Sequence, residues 1–188
     1  MVSFTTIALL GAFTLASALP TATTPQAASP ALARRSGATH RVEAGFAGTL
    51  RFEPENIVAE IGDLVEVHFA PANHSFAQSS FAKPCVPIDD NAIFSGFQPA
   101  TKGVQAEAPN AFTIEITDKL PKWFYCSQTK GNHCQMGMSL VINQNFDGGA
   151  TLAQYKKMAA WTGVSVSPPK PGNGGTLAPP SMPFNGKA

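Results

Sequence analysis

Charge is scarce in this sequence: Lys and Arg number 13, Asp and Glu 12, and together they make up only 13% of 188 residues, for a net charge of +1. So neutral a chain offers no basic stripe for nucleic acid and no polybasic patch for an anionic membrane, and neither partner is expected. No Ser/His/Asp spacing, no glycine-rich phosphate loop and no prominent carboxylate pair stands in it, so the common hydrolytic and nucleotide-dependent chemistries lack their parts. No apolar run closes the chain, as expected of a protein without a lipid-replaced C-terminal anchor. Cysteine is limited to three residues, Cys85, Cys126 and Cys134, and histidine to four.

What is present begins with the first residues, MVSFTTIALLGAFTLASALP, which run uncharged from Val2 to Leu19 and offer the small residues Ala16-Ser17-Ala18 for cleavage. The apolar part, Ile7 to Leu15, is short for a bilayer span and no stop-transfer charges follow it. A signal peptide over 1–18 is expected, with a soluble product that is extracellular or associated with the cell wall. Residues 19–35 are rich in Thr, Ala, Pro and Ser and end on Arg34-Arg35, a dibasic site; they form either a propeptide or a disordered spacer that stays attached. The remainder suits one domain.

From His40 to Asn143 the chain reads as short strands between Gly, Pro, Asn and Asp. In LVEVHF, Val65, Val67 and Phe69 share one face while Glu66 and His68 take the other, and FTIEI sets Phe112, Ile114 and Ile116 against Thr113 and Glu115. That alternation fits half-buried antiparallel strands. Further strands are expected in 40–46, 49–54, 56–60, 74–78, 122–126 and 138–143, giving an all-β sandwich or Greek-key barrel of seven or eight strands over 36–145. ATLAQYKKMAAW places Leu152, Tyr155, Met158 and Ala159 at helical spacing, so 146–161 is expected to hold a short amphipathic helix. Residues 162–188, dominated by Pro and Gly, are expected to form a flexible tail that could associate with the wall.

Three cysteines in an oxidising compartment leave one disulfide and one thiol over. The segment WFYCSQTKGNHCQMGM gathers Cys126, His133, Met136 and Met138 within sixteen residues, and soft sulfur with borderline nitrogen favours copper or zinc over calcium or magnesium. Met138 shares its strand phase with Leu140 and Ile142, toward the core, whereas Met136 is expected to be a loop residue. Asn73-His74-Ser75 supplies a further imidazole. The triplet is also a glycosylation sequon, but a glycan on Asn73 would crowd His74, and the ligand reading is preferred. Two His and one Cys with a weak thioether make the trigonal set that copper uses for electron transfer. His40 and His68 are read as structural.

Together NHSFAQSSFAKPC and YCSQTKGNHCQMGM resemble the cupredoxins, in particular the phytocyanin-like branch and the small secreted cupredoxin-like proteins of fungi. The resemblance spans roughly residues 40–145 and implies that one copper ion is held by His74, Cys126, His133 and Met138. It also implies a Cys85–Cys134 disulfide, which leaves Cys126 as the thiolate, and a backbone N–H from Ser75 to the Cys126 sulfur. Six residues separate Cys126 from His133, where phytocyanins usually have four.

The expected function is therefore extracellular one-electron transfer by Cu(II)/Cu(I) cycling in a monomer with an extracellular redox partner, His133 being the exit that the resemblance implies. Two alternatives stand beside it: a copper-buffering module, and a cell-surface structural protein without a redox partner. Enzymatic activity is not expected. Multicopper oxidation needs many more histidines than four, and copper-dependent polysaccharide oxidation would require an N-terminal His where cleavage after Arg35 leaves Ser36.

Overall fold

The computed structural model describes residues 37–103 and 106–182, together with Met1. The body of the expected signal peptide, the spacer with Arg34-Arg35, and residues 183–188 lie outside the described residues. Within them the chain is mostly β, with strands β1 (Thr39–Ala44), β2 (Phe52–Glu53), β3 (Asn56–Ile57), β4 (Leu64–Phe69), β5 (Ala72–His74), β6 (Ala77–Ser79), β7 (Gln98–Ala100), β8 (Ala111–Glu115), β9 (Lys122–Tyr125), β10 (Ser139–Ile142) and β11 (Thr176–Ala178). One α-helix, α1 (Leu152–Ala159), and a short 3-10 turn at Phe46–Gly48 complete the inventory.

Two sheets form a sandwich that does not close into a barrel: a five-stranded sheet in the order β11-β8-β4-β1-β2 and a four-stranded sheet in the order β3-β10-β9-β6. β5 and β7 pair separately. β4 and β8 run antiparallel, as their alternation suggests, with Val65 opposite Ile114 and Val67 opposite Phe112. β1, however, lies parallel to β4, and β3 parallel to β10. Between the sheets sit Val42, Val65, Val67, Phe69, Phe76, Phe112, Ile114, Phe124, Leu140 and Ile142, all buried. Phe76 stacks on Phe124 at 4.0 Å between centroids, and its other neighbour Phe52 meets it edge-on. Burying each such ring contributes roughly 1.5–3 kcal/mol.

β9 and β10 are covered on both faces, which explains why KWFY and SLVI read as continuous apolar runs. Phe124 and Leu140 face the inter-sheet core, whereas Trp123, Tyr125 and Val141 belong to a second cluster with Leu152, Tyr155 and Ala159 of α1. The Tyr155 ring stacks on Trp123 at 5.3 Å and its hydroxyl shares a 2.6 Å hydrogen bond with the Ser79 hydroxyl. Thr151 caps the helix by accepting from the Gln154 N–H. α1 is shorter than the expected 146–161 and begins only at this cap.

Two expectations are corrected. Glu66 and His68, expected on the opposite face of a half-buried β4 from Val65, Val67 and Phe69, are buried at 2% and 1% exposure. His68 lies between carboxylates, its Nε2 2.7 Å from Glu66 and its Nδ1 2.9 Å from Glu107, and Glu107 also pairs with Arg41. The second correction concerns residues 162–182, expected to be a flexible tail. They form a strap along the domain: the Val166 N–H donates to the Cys85 carbonyl, Phe94 exchanges backbone bonds with Gly172 and Asn173, and β11 pairs with β8. Glu66 accepts from the Ser181 and Met182 N–H groups and from the Ser181 hydroxyl. The strap docks mainly by backbone hydrogen bonds and close approach, since a Cβ on Gly175 would stand 2.6 Å from the Phe112 ring. Pro and Gly content signals the absence of a core-forming face but carries no trace of such bonds.

Candidate metal centre

Three strand ends and one loop converge here. Tyr125 pairs with Ser139 at the close of β9 and the start of β10, and the ladder continues one step further, with the Cys126 N–H donating to the Met138 carbonyl at 3.1 Å. Cys126 and Met138 are both fully buried and belong to the inter-sheet core cluster. His74 ends β5. His133 sits in a tight loop wound by backbone bonds, its N–H donating to the Gln128 carbonyl and its own carbonyl accepting from the Met138 N–H. Asn132 and Gly137 bracket it in left-handed conformations, φ 53° and 94°.

The result is a compact cluster: ligand-capable atoms of His74, Cys126 and His133 all lie within 4.8 Å of one another, and all three residues are buried. The Cys126 Sγ is 3.4 Å from His133 Nδ1, and the two imidazole centroids are 5.0 Å apart. Among the described residues no other group of three His, Cys, Asp or Glu side chains is so placed. Met138, whose carbonyl accepts the Cys126 N–H, is 0% exposed, whereas Met136 is 67% exposed. His40 and His68 lie elsewhere, engaged by Asp63 and by Glu66 and Glu107.

Electrostatics favour a metal over free side chains. The His74 Nδ1 is buried with no hydrogen-bond partner, a costly state for a polar atom that a cation would relieve. Burial, with the nearby His133, pulls the His74 imidazole down to about 4, and burial lowers His133 as well. Both rings therefore present neutral lone pairs at neutral pH. Burial pushes the Cys126 thiol up, against the opposing hydrogen bonds from Gln128 and Ser75, so a metal would bind with release of the thiol proton. Two neutral imidazoles, one thiol and a thioether, with no carboxylate among them, fit copper and do not fit a hard cation.

Around these side chains the structure builds a supporting layer. Ser75 donates its N–H to the Cys126 Sγ at 3.3 Å. Cys85 and Cys134 form a disulfide, leaving Cys126 as the free cysteine and tethering the residue after His133 to the second cluster. Gly45, φ 91°, packs against the back of the His74 ring, where a Cβ would come within 2.4 Å of Nε2. Asn73, of the sequon, lies in β5 opposite Pro99, with its Oδ1 buried. His133 itself is 7% exposed and borders a surface cleft lined by Asn73, Pro99, Gln128, Lys130 and Gly131. Sequence reasoning missed Gly45, because a glycine after a strand carries no mark of what it packs against, and Ser127 and Ser167, whose hydroxyls meet only through the docking of the strap.

No family model matches this chain. It is 41% identical over 130 residues to an extracellular serine-rich protein of Arthroderma benhamiae, an alignment covering 69% of this chain and 48% of the relative. To a probable GPI-anchored cupredoxin of the same organism it is 35% identical over 127 residues, covering 68% of this chain and 62% of the relative. The chain thus spans about half to three fifths of the length of these curated relatives. Among solved structures, native pseudoazurin from Hyphomicrobium denitrificans aligns at 21% identity and a TM-score of 0.32, over 56% of this chain and 73% of the other. The two-sheet sandwich, the His, Cys, His cluster and the identity to a protein named a cupredoxin together make this a cupredoxin-like protein.

Proposed function

We propose that the domain is a type 1 copper protein that passes single electrons outside the cell, in which His74, Cys126, His133 and Met138 would hold the copper ion. The observation that carries this reading is the buried cluster of two imidazoles and one thiol within 4.8 Å, unaccompanied by any carboxylate. Copper in such a set supplies a one-electron couple, because the same donors suit both oxidation states. The residues' part is to keep the geometry unchanged through the cycle. Cys126 and Met138 are locked one step beyond the paired ends of β9 and β10, His133 is held by the wound loop and the neighbouring disulfide, and His74 is backed by Gly45. His133, edging the cleft, is the group through which an electron would leave or enter, and Lys130 is the charged side chain lining that cleft. Nothing in this scheme requires a bound substrate, in keeping with a carrier and not an enzyme. The relatives named extracellular and GPI-anchored support secretion to the cell surface or beyond. Cleavage of 1–18, and processing at Arg34-Arg35, belong to the same proposal.

Titrating the purified protein with Cu(II) is expected to give an intense blue thiolate-to-copper absorption and a narrow copper hyperfine splitting in EPR. Cys126→Ser should lose both. A colourless wild-type complex would refute the reading.

A further inference from the structure

The strap reaches the sulfur of Cys126 through three serine hydroxyls. Ser167 Oγ donates to Ser127 Oγ at 2.9 Å, and Ser127 Oγ lies 2.9 Å from Ser75 Oγ. Ser75 Oγ also accepts the Ser127 backbone N–H at 2.9 Å, and it lies 3.9 Å from the Cys126 Sγ as a donor. Ser75 and Ser127 are buried, at 0% and 1% exposure, while Ser167 is half-buried. The same stretch of strap is fixed on both sides: Ser165 donates to Gln135, beside Cys134, and the Val166 carbonyl accepts from Tyr125, beside Cys126.

A hydroxyl has one proton to donate and two lone pairs to accept with. With Ser167 donating to Ser127, the Ser127 proton is directed to Ser75. Ser75 Oγ then accepts twice, from the N–H and from the O–H of Ser127, and its own proton is left for the sulfur. Without Ser167 the middle bond is free to reverse, with Ser75 donating to Ser127, and the sulfur loses that donor. From this accounting we infer that Ser167, forty-one residues beyond Cys126 and outside the sandwich proper, is a positioning residue that sets the hydrogen bonding of the Cys126 sulfur by fixing the direction of the serine chain. A hydrogen bond withdraws electron density from a thiolate and weakens its donation to Cu(II), so the strap would hold the copper potential above what the ligands alone would set.

The inference rests on the copper reading of the site, and its test separates the two. Cu(II) is added to the full-length protein and to Ser167→Ala, Ser167→Thr and Ser165→Ala, and the charge-transfer band and reduction potential of each are recorded. Ser167→Ala is expected to move the band to longer wavelength and the potential downward. Ser167→Thr, which keeps the hydroxyl, and Ser165→Ala, which spares the chain, should match wild type. A blue wild type with Ser167→Ala unchanged in band and potential, even if it is less heat-stable, overturns the inference and leaves the copper reading intact. Equal shifts in Ser167→Ala and Ser165→Ala overturn it likewise, since they trace the effect to strap packing. A wild type that stays colourless overturns the copper reading, and the inference with it.

Discussion

Gly45→Ala tests the site from behind. Gly45 sits at φ 91° immediately after β1, and an added Cβ would lie 2.4 Å from His74 Nε2 and 2.8 Å from its Cδ2. Two costs follow. The left-handed backbone disfavours any side chain by about 1–2 kcal/mol, and forcing an atom into a packed site adds roughly 1–3 kcal/mol. Gly48 separates them, since it has φ 71° and nothing within 4 Å of its would-be Cβ. Gly48→Ala should therefore cost only the backbone part in urea unfolding of the metal-free protein, and Gly45→Ala the sum, about 2–5 kcal/mol. To restore ordinary contact the imidazole must retreat by roughly 1 Å, twice the displacement of about 0.5 Å that a metal constellation tolerates. Copper affinity and the intensity of the blue band should then fall in Gly45→Ala and hold in Gly48→Ala. Equal stability losses in the two variants, with copper binding intact in both, would refute the claim that Gly45 positions His74.

Other expectations follow from the same structure. Cys85→Ala with Cys134→Ala opens a loop of sequence separation 49; chain entropy assigns that loop about 4 kcal/mol, to be read from the shift in urea midpoint. The depressed His74 imidazole makes the metal-free protein acid-sensitive: the unfolded chain binds its proton near 6.5 and the folded one only near about 4. The stabilisation is thus complete above pH 6.5 and lost as pH falls through that window, by roughly 3 kcal/mol. NMR titration of the His74 ring checks the first quantity and urea unfolding at stepped pH the second; flat stability from pH 7 to 4 would contradict it. Ending the chain at Pro180 removes the Ser181 and Met182 donors from buried Glu66, and is expected to cost about 1–3 kcal/mol in chemical denaturation.

How much of this was legible beforehand differs by element. LVEVHF is β4 residue for residue, because strict alternation records a sheet face directly. The grouping of His74, Cys126 and His133 was legible because such side chains are rare in a sequence with so few His and Cys, and because Cys126 directly follows the register of a strand pair. Burial of His68 was not, since the face it occupies is covered by Glu107 and by Ser181, residues far away in the chain whose approach leaves no local period. The parallel pairing of β1 with β4 escaped for a similar reason: alternation states which face is apolar and is silent about direction. The strap is the extreme case, being held by main-chain groups that every residue but proline carries alike.

Both rims of the five-stranded sheet end in proline. At one rim β2 spans only Phe52 and Glu53 before Pro54, and at the other β11 spans Thr176 to Ala178 before Pro179 and Pro180. A short rim strand presents few unpaired main-chain groups, and a proline beside it has no N–H to offer, so a second molecule finds little to extend the sheet upon. This is protection against edge-to-edge aggregation, and at the β11 rim it is built from the residues that made the C-terminal segment look unstructured. Light scattering of the chain ended before Thr176, which leaves β8 as the rim, would show whether self-association is what β11 holds off.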